Sequence, residues 1–447
     1  MKPILRLILA VVLSVFVVPT IAAAQARYTV KTNGDVVQLR DTRADMVVSI
    51  LTPVNNAYEF VVKGENVIRM TIQSVDQMRA NPGTNGIPLL APFANRLDEQ
   101  AFYANGKKYN FDMELGNVRG AVPIHGFLSG TNAWKVVEAK ADGTGAWITS
   151  KLDFWKYPSY MKQFPFAHTL TMTYKLADGA LEVRTRLDNL STEPMPVSLG
   201  FHPYFQLTDS VRTEWTLDAG ARTHWLLAPN KVPTGETEPS DQFWGGDRHA
   251  VPLSKFATTT IDDVFSDLDR DAQGRGTFSI TGAKQKLEII VGPKFKSMTV
   301  FSPAAGGGGG GAGRGAGAPG AGGPAPVGPG AAAAPGGRAA AAGAPPQGAA
   351  GPPGAPGPAG PAGGAGAARG GGGGRVAGPP VSVGPPIPLS AKDSGPAPPL
   401  RGSVAIEPMA GISNSMNAAQ KGTYKELQYI DPSSFWQESF WVRPTGY

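Results

Sequence analysis

The segment from His168 to Ser191 reads HTLTMTYKLADGALEVRTRLDNLS. Leu170, Met172 and Tyr174 alternate with polar residues, and Leu181, Val183, Thr185 and Leu187 alternate with charged ones. Side chains of a strand point to opposite faces in turn, so a period of two gives each run one apolar face. Between the runs lies Asp178-Gly179, a pair that tolerates positive φ at both positions, as a tight hairpin turn requires. The segment predicts a β-hairpin. The same device recurs at Asn33-Gly34 in RYTVKTNGDVVQLRD and at Asn105-Gly106 in FYANGKKYNF. TFSIT, LEIIV, SMTVFS and SVAIE add strand candidates further on, and no stretch carries the period of a long amphipathic helix. Many short strands with regular turns predict an all-β fold, a large and mainly antiparallel β-sandwich.

One part of the chain breaks this pattern. Of its 447 residues, 58 are glycine and 41 proline, and most of these crowd between Ala304 and Arg401. Runs such as GGGGGG and AAAAPGG offer almost no large aliphatic side chain before Val376. Such a tract cannot bury enough apolar surface to offset chain entropy, which predicts disorder. Gly351 to Gly363 has collagen-like spacing, but about four triplets are too few for a triple helix. Only about 45 residues follow the tract, too few for an independent domain without cysteine. SVAIEPMAGISNSMN and SFWQESFWVRP therefore read as strands returning to the first domain. The organisation is then a first part at 27–302, an insertion at 303–402 and closing strands at 403–447. Closure entropy grows only as the logarithm of loop length, so a long insertion between two paired strands is tolerated, and Val300 and Ala405 should lie on neighbouring strands.

The amino terminus predicts export. Lys2 and Arg6 precede an apolar run from Leu7 to Val18, and AAAQA offers cleavage after Ala24 or Ala26. Residues 1–26 are thus expected to be a cleavable signal peptide, with a periplasmic or secreted product and no stable membrane span once it is removed. The absence of cysteine excludes disulfides, a thiol nucleophile and cysteine-based zinc sites. The net charge of +6 comes without a basic run or basic–aromatic interleaving, so nucleic acid is not an expected partner. Nothing in the sequence specifies an oligomeric state.

Polar side chains in apolar surroundings mark the chemistry. Five stretches stand out: NRLD (Asn95 to Asp98), IHGF (Ile124 to Phe127), GFHPYF (Gly200 to Phe205), TIDDVF (Thr260 to Phe265) and IEPMAG (Ile406 to Gly411). Together, in this order, they resemble the aldose 1-epimerase (galactose mutarotase) family. That family has an Asn-Arg after a proline-containing loop, a His-Gly-Phe, a His-Pro-Tyr-Phe, an Asp ahead of a phenylalanine and a late Glu-Pro. The resemblance spans nearly the whole chain outside the signal segment and the glycine-rich tract, and it implies the same β-sandwich that the patterning predicts.

The resemblance implies a mutarotase of a monosaccharide substrate, working without metal or cofactor. It makes Glu407 the base at the sugar O1 and His202 the acid at the ring oxygen. It also implies that Arg96 clamps ring hydroxyls, that His125 hydrogen-bonds near the ring oxygen or O1, and that Asn95 lines the site. The spacing to Phe265 matches Asp262 to the sugar-binding aspartate and leaves Asp263 as a turn residue. Asn417, six residues after Gly411, either contacts the sugar or caps a turn. Pro203 pushes His202 into extended geometry, where the flanking aromatics wall a cavity. Bland alternatives stand beside each: a core histidine, a turn residue at His125, and a surface ion pair of Arg96 with Asp98 or Glu99. Trp134, Trp155, Trp225 and Trp244 read chiefly as core, and His168, His224 and His249, lacking motif partners, as structural or exposed. Two other functions fit the fold: a glycoside hydrolase pairing Asp262 or Asp263 with Glu407, and a non-catalytic carbohydrate-binding envelope protein. No Gly-x-Ser-x-Gly elbow, His-Glu-x-x-His helix or Walker loop is present.

Overall fold

The computed structural model describes residues 26–447 apart from 73, 115–117, 120–121 and 305–401. The readings of a signal segment and a glycine-rich insertion fall, but for a few flanking residues, outside these described residues.

The hairpin at 168–189 forms as its alternation requires. His168–Ala177 and Ala180–Asn189 pair antiparallel from His168↔Asn189 to Ala177↔Ala180, around Asp178 (φ 48°) and Gly179 (φ 74°). Leu170, Met172, Tyr174, Leu181, Val183 and Leu187 are all buried. The hairpin sits inside a nine-stranded sheet whose order is Lys135–Asp142, Gly145–Asp153, His168–Ala177, Ala180–Asn189, Phe435–Thr445, Lys286–Val291, Gly276–Thr281, Thr216–Ala219 and Val251–Pro252. The strand from SFWQESFWVRP thus returns to the middle of this sheet, between Ala180–Asn189 and Lys286–Val291.

A second sheet carries the residues that matter for function. Its order is Pro233–Pro239, Ala221–Leu227, Ile261–Leu268, Ser297–Ser302, Val404–Met409, Gly200–Phe201 and Leu89–Leu90, with Tyr204–Phe205 also paired to Val404–Met409. A five-stranded meander, from Tyr28–Asn33 to Glu65–Asn66, completes the major sheets. Asn105-Gly106 turns as expected, but at the first hairpin Asn33 pairs with Val36, so the turn residues are Gly34 and Asp35. The α-helices are short, at most six residues, and none is long and apolar enough among the described residues to cross a membrane.

Alternation in the second sheet divides its residues between two environments. Phe265, Met298, Val300 and Ile406 enter the main core together with Met172 and Tyr174 of the nine-stranded sheet and Phe60 of the meander. Their neighbours point the other way. Val264 and Met409 join Trp225, Ile412, Ala418 and Tyr424 in a smaller apolar cluster on the opposite face. Ile406 is fully buried, and trimming it to alanine would cost about 2–5 kcal/mol.

The two strands that flank the glycine-rich tract pair on this sheet. Ser297–Ser302 pairs with Val404–Met409 from Ser297↔Met409 to Phe301↔Ala405, and the Ser302 hydroxyl donates to the Ser403 carbonyl at 3.0 Å. Val300 and Ala405 therefore lie on neighbouring strands. Arg212, buried, donates from Nε to Ser302 Oγ at 2.5 Å, and its side chain packs against Gly402.

Candidate active site

Register alone brings His202 to Glu407. Gly200 pairs with Met409 and Tyr204 with Ala405, so counting inward from either pair sets His202 opposite Glu407. Directly opposed residues of an antiparallel pair project on the same face. Pro203, without an N–H, interrupts the ladder to the Val404–Met409 strand, while the His202 amide faces the other neighbour and donates to the Pro88 carbonyl at 3.3 Å. His202 Nε2 lies 3.1 Å from Glu407 Oε1, and both side chains are more than 90% buried. Glu407 Oε2 is also buried and has no hydrogen-bond partner among the described residues. Burial, and next the nearby Asp262 carboxylate, push the Glu407 carboxyl well above the usual carboxylate range, while the Arg96 guanidinium pulls the other way.

The same logic separates the two aspartates. Glu407 opposes Thr299, Thr299 opposes Val264, and Phe301 opposes Asp262. Asp262 therefore shares Glu407's face, and Asp263 faces the main core. Arg96 Nη2 donates to Asp262 Oδ2 at 3.1 Å and Nη1 to Asn95 Oδ1 at 3.0 Å. Asn95 Nδ2 reaches Thr299 Oγ1 at 3.5 Å, so this polar line ends beside Glu407. The Arg96 side chain is 8% exposed and does not form the surface pair with Asp98 or Glu99 that its neighbours allowed. Asp98 instead takes Lys421, and Glu99 takes Lys108.

Strained backbone holds two of these residues. Asn95 (φ 54°) and His125 (φ 62°) both adopt the left-handed region, and the His125 amide donates to the Asn95 carbonyl at 2.8 Å. Asn and His enter that region more readily than most residues, yet such conformations gather at functional sites. Gly126 (φ 58°) follows because a Cβ there would lie 2.1 Å from the Ala91 carbonyl oxygen. The turn delivers the His125 ring edge-on to His202, with centroids 5.1 Å apart at 86°. Tyr204, 4.9 Å from the His202 ring, and Phe301, 5.9 Å from Tyr204, form the aromatic side of the cluster.

Six of the seven candidate residues thus converge: Glu407, His202, Arg96, Asp262, Asn95 and His125. Asn417 makes different contacts. Its Nδ2 donates to Asp98 Oδ1 at 2.9 Å and to the Ala101 carbonyl at 3.1 Å, which ties the helix Ser415–Gln420 to that loop. These are the contacts of a structural residue. Tyr204 joins the cluster as one of the aromatics flanking His202, while Thr299 and Phe301 join it without having been singled out; their alternation across the ladder from Glu407 is the signal, and it appears only once the register is known. Of the tryptophans, Trp134, Trp225 and Trp244 are buried and Trp155 is 47% exposed. Among the described residues no group of three or more His, Asp or Glu side chains is placed to hold a metal ion. Chemically, the arrangement offers two proton-carrying groups in contact, a guanidinium–carboxylate clamp beside them, and an aromatic wall.

The aldose 1-epimerase family model matches residues 58–307. The uncharacterized protein YihR of Escherichia coli (strain K12) is 25% identical over 202 residues, which cover 45% of this chain and 59% of that protein. This chain thus matches less than two thirds of that relative's length. Among solved structures, a galactose mutarotase-like protein from Clostridium acetobutylicum superposes with a TM-score of 0.63 at 16% identity, covering 94% of this chain and 98% of the other. The galactose 1-epimerase from Lactobacillus acidophilus NCFM gives 0.58 at 11% identity, covering 94% and 97%. At these identities the likeness is one of fold.

Proposed function

The chain belongs to the aldose 1-epimerase family, and from that premise we propose that it is an exported mutarotase interconverting the α and β anomers of a free aldose. The 3.1 Å contact between His202 and Glu407, inside a buried cluster, is the observation that carries the reading. Opening a cyclic hemiacetal needs a proton removed from the C1 hydroxyl and another delivered to the ring oxygen. Glu407 takes the first and His202 gives the second as the C1–O5 bond breaks to the aldehyde. Rotation about C1–C2 presents the other carbonyl face. The O5 hydroxyl then attacks C1, returning its proton to His202, while the new O1 oxyanion recovers its proton from Glu407. No atom is gained or lost.

Burial favours this division of labour. Desolvation raises the Glu407 carboxyl well above the usual carboxylate range, which makes its carboxylate a stronger base toward the C1 hydroxyl. Arg96, fixed by Asp262 and Asn95, presents a planar fork suited to sugar hydroxyls, and His125 stands at the edge of His202 to hold the same ring. In this role the pair replaces its mutual contact with contacts to O1 and O5. Export rests on the charged and apolar run of residues 1–26.

Polarimetry on freshly dissolved α-glucose, α-galactose and a panel of pentoses tests the reading. The protein should speed the drift of optical rotation for at least one sugar. Rates equal to buffer alone across the panel would overturn it.

A further inference from the structure

Behind the Asp262–Arg96 clamp, on the core side of the sheet, lies a second polar line that the mutarotase mechanism does not use. His224 opposes Glu238 on one neighbouring strand and Phe265 on the other, so its ring shares a face with Asp263, two residues before Phe265. His224 Nδ1 is 2.8 Å from Glu238 Oε1, and Nε2 is 3.1 Å from Asp263 Oδ1. The ring is 5% exposed and lies against Phe243 and Phe265, at 4.1 and 5.2 Å between centroids. Both ring nitrogens thus lie within hydrogen-bond distance of a carboxylate oxygen, one on each neighbouring strand. The other oxygen of Asp263 accepts the backbone N–H of Asp262 at 3.0 Å. Gln242 Nε2 steadies the far end by donating to Glu238 Oε2 at 2.7 Å.

The line thus runs from the helix Ser240–Trp244 through Glu238, His224 and Asp263 to the main chain of Asp262, whose side chain holds Arg96 on the opposite face. A core histidine is satisfied by one carbonyl, as His168 is by that of Phe166. His224 instead contacts two half-buried carboxylates, and one of them grips the residue beside it that carries the clamp. We propose that His224, held between Glu238 and Asp263, is a positioning residue that fixes the Asp262–Arg96 clamp. Its effect passes through the sheet at the Asp262 peptide. The proposal rests on the mutarotase reading for its kinetic consequence, though not for its structural one.

Two readouts test it on the full chain. The first needs no sugar: the Arg96 side-chain N–H signal, followed by nitrogen-15 NMR in folded protein. The second is the split between KM and kcat for the best aldose of the polarimetric panel. His224→Ala should shift or broaden the Arg96 signal and raise KM about tenfold, the loss expected when a charge-assisted hydrogen bond is weakened, with kcat within threefold. His224→Gln, which keeps one donor toward Asp263, should recover part of both. In an Asp262→Asn background the same substitution should add little, because the clamp it serves is already broken. Should His224→Ala not fold, Glu238→Gln, on a side chain 20% exposed, should produce the same changes in smaller measure. An unmoved Arg96 signal with unchanged KM in folded variants, or full additivity with Asp262→Asn, would overturn the proposal. A wild-type protein inert toward every aldose would sink the mutarotase reading alone, and the Arg96 signal would still decide this one.

Discussion

Replacing Pro303 to Gly402 by a short Asn-Gly turn should leave the Glu407 strand in place and stabilise the protein. Phe301 already pairs with Ala405, and the Ser302 hydroxyl reaches the Ser403 carbonyl, so the cut ends meet without backbone movement. The excised tract has the composition of a flexible chain. Closing a flexible loop costs about (3/2)RT ln n, so shortening 100 residues to about three recovers roughly 3 kcal/mol. Urea unfolding should show a higher midpoint, and polarimetry should show an unchanged rate of mutarotation. A folded variant that has lost activity would show that the tract contributes to the site. A variant several kcal/mol less stable would show that it packs on the sheet, and either result would refute the reasoning.

Three further outcomes follow from the site. Asp262 raises the Glu407 carboxyl and Arg96 lowers it, so Asp262→Asn should move the acidic limb of the pH–rate profile to lower pH and Arg96→Met to higher pH; shifts in the same direction would contradict the electrostatics. Glu407 holds its proton in the native state at pH values where the unfolded chain, near the ordinary 4.5, has lost it, so wild-type stability should fall as pH rises through the native value. Glu407→Gln lacks that group and should gain stability over wild type from pH 5 to pH 9 by urea denaturation; parallel profiles would refute the assignment. Gly126→Ala must place a Cβ 2.1 Å from the Ala91 oxygen at φ 58°, and should cost about 2–4 kcal/mol in the same assay, whereas a loss below about 1 kcal/mol would show the turn to be soft.

Local periodicity made the fold legible. Residues 168–189 declare both their apolar face and their turn, since alternation and Asp178-Gly179 act within a few residues. The site was legible as residue types in order, but not as an assembly. His202 and Glu407 are brought together by pairing across a long separation in the chain, and a strand's alternation does not say which strand lies beside it. The two adjacent aspartates differ only in parity, and a single register pair, Val264↔Thr299, sends Asp262 to the Glu407 face and Asp263 to the core. The choice of Asp262 by its spacing to Phe265 agrees with that geometry. Asn417 shows the opposite case: a polar residue close in sequence to the motif whose amide is taken up by Asp98 and Ala101. His224 carried no local signal at all, because its partners Glu238 and Asp263 come from two other strands.

The most direct test of the account is the rate of optical-rotation drift of the preferred α-aldose at neutral pH with Glu407→Gln and His202→Asn, each first shown to be folded. Loss of a positioned general base or acid predicts a drop of about 10²–10⁴-fold in each. Wild-type rates in both folded variants would contradict it.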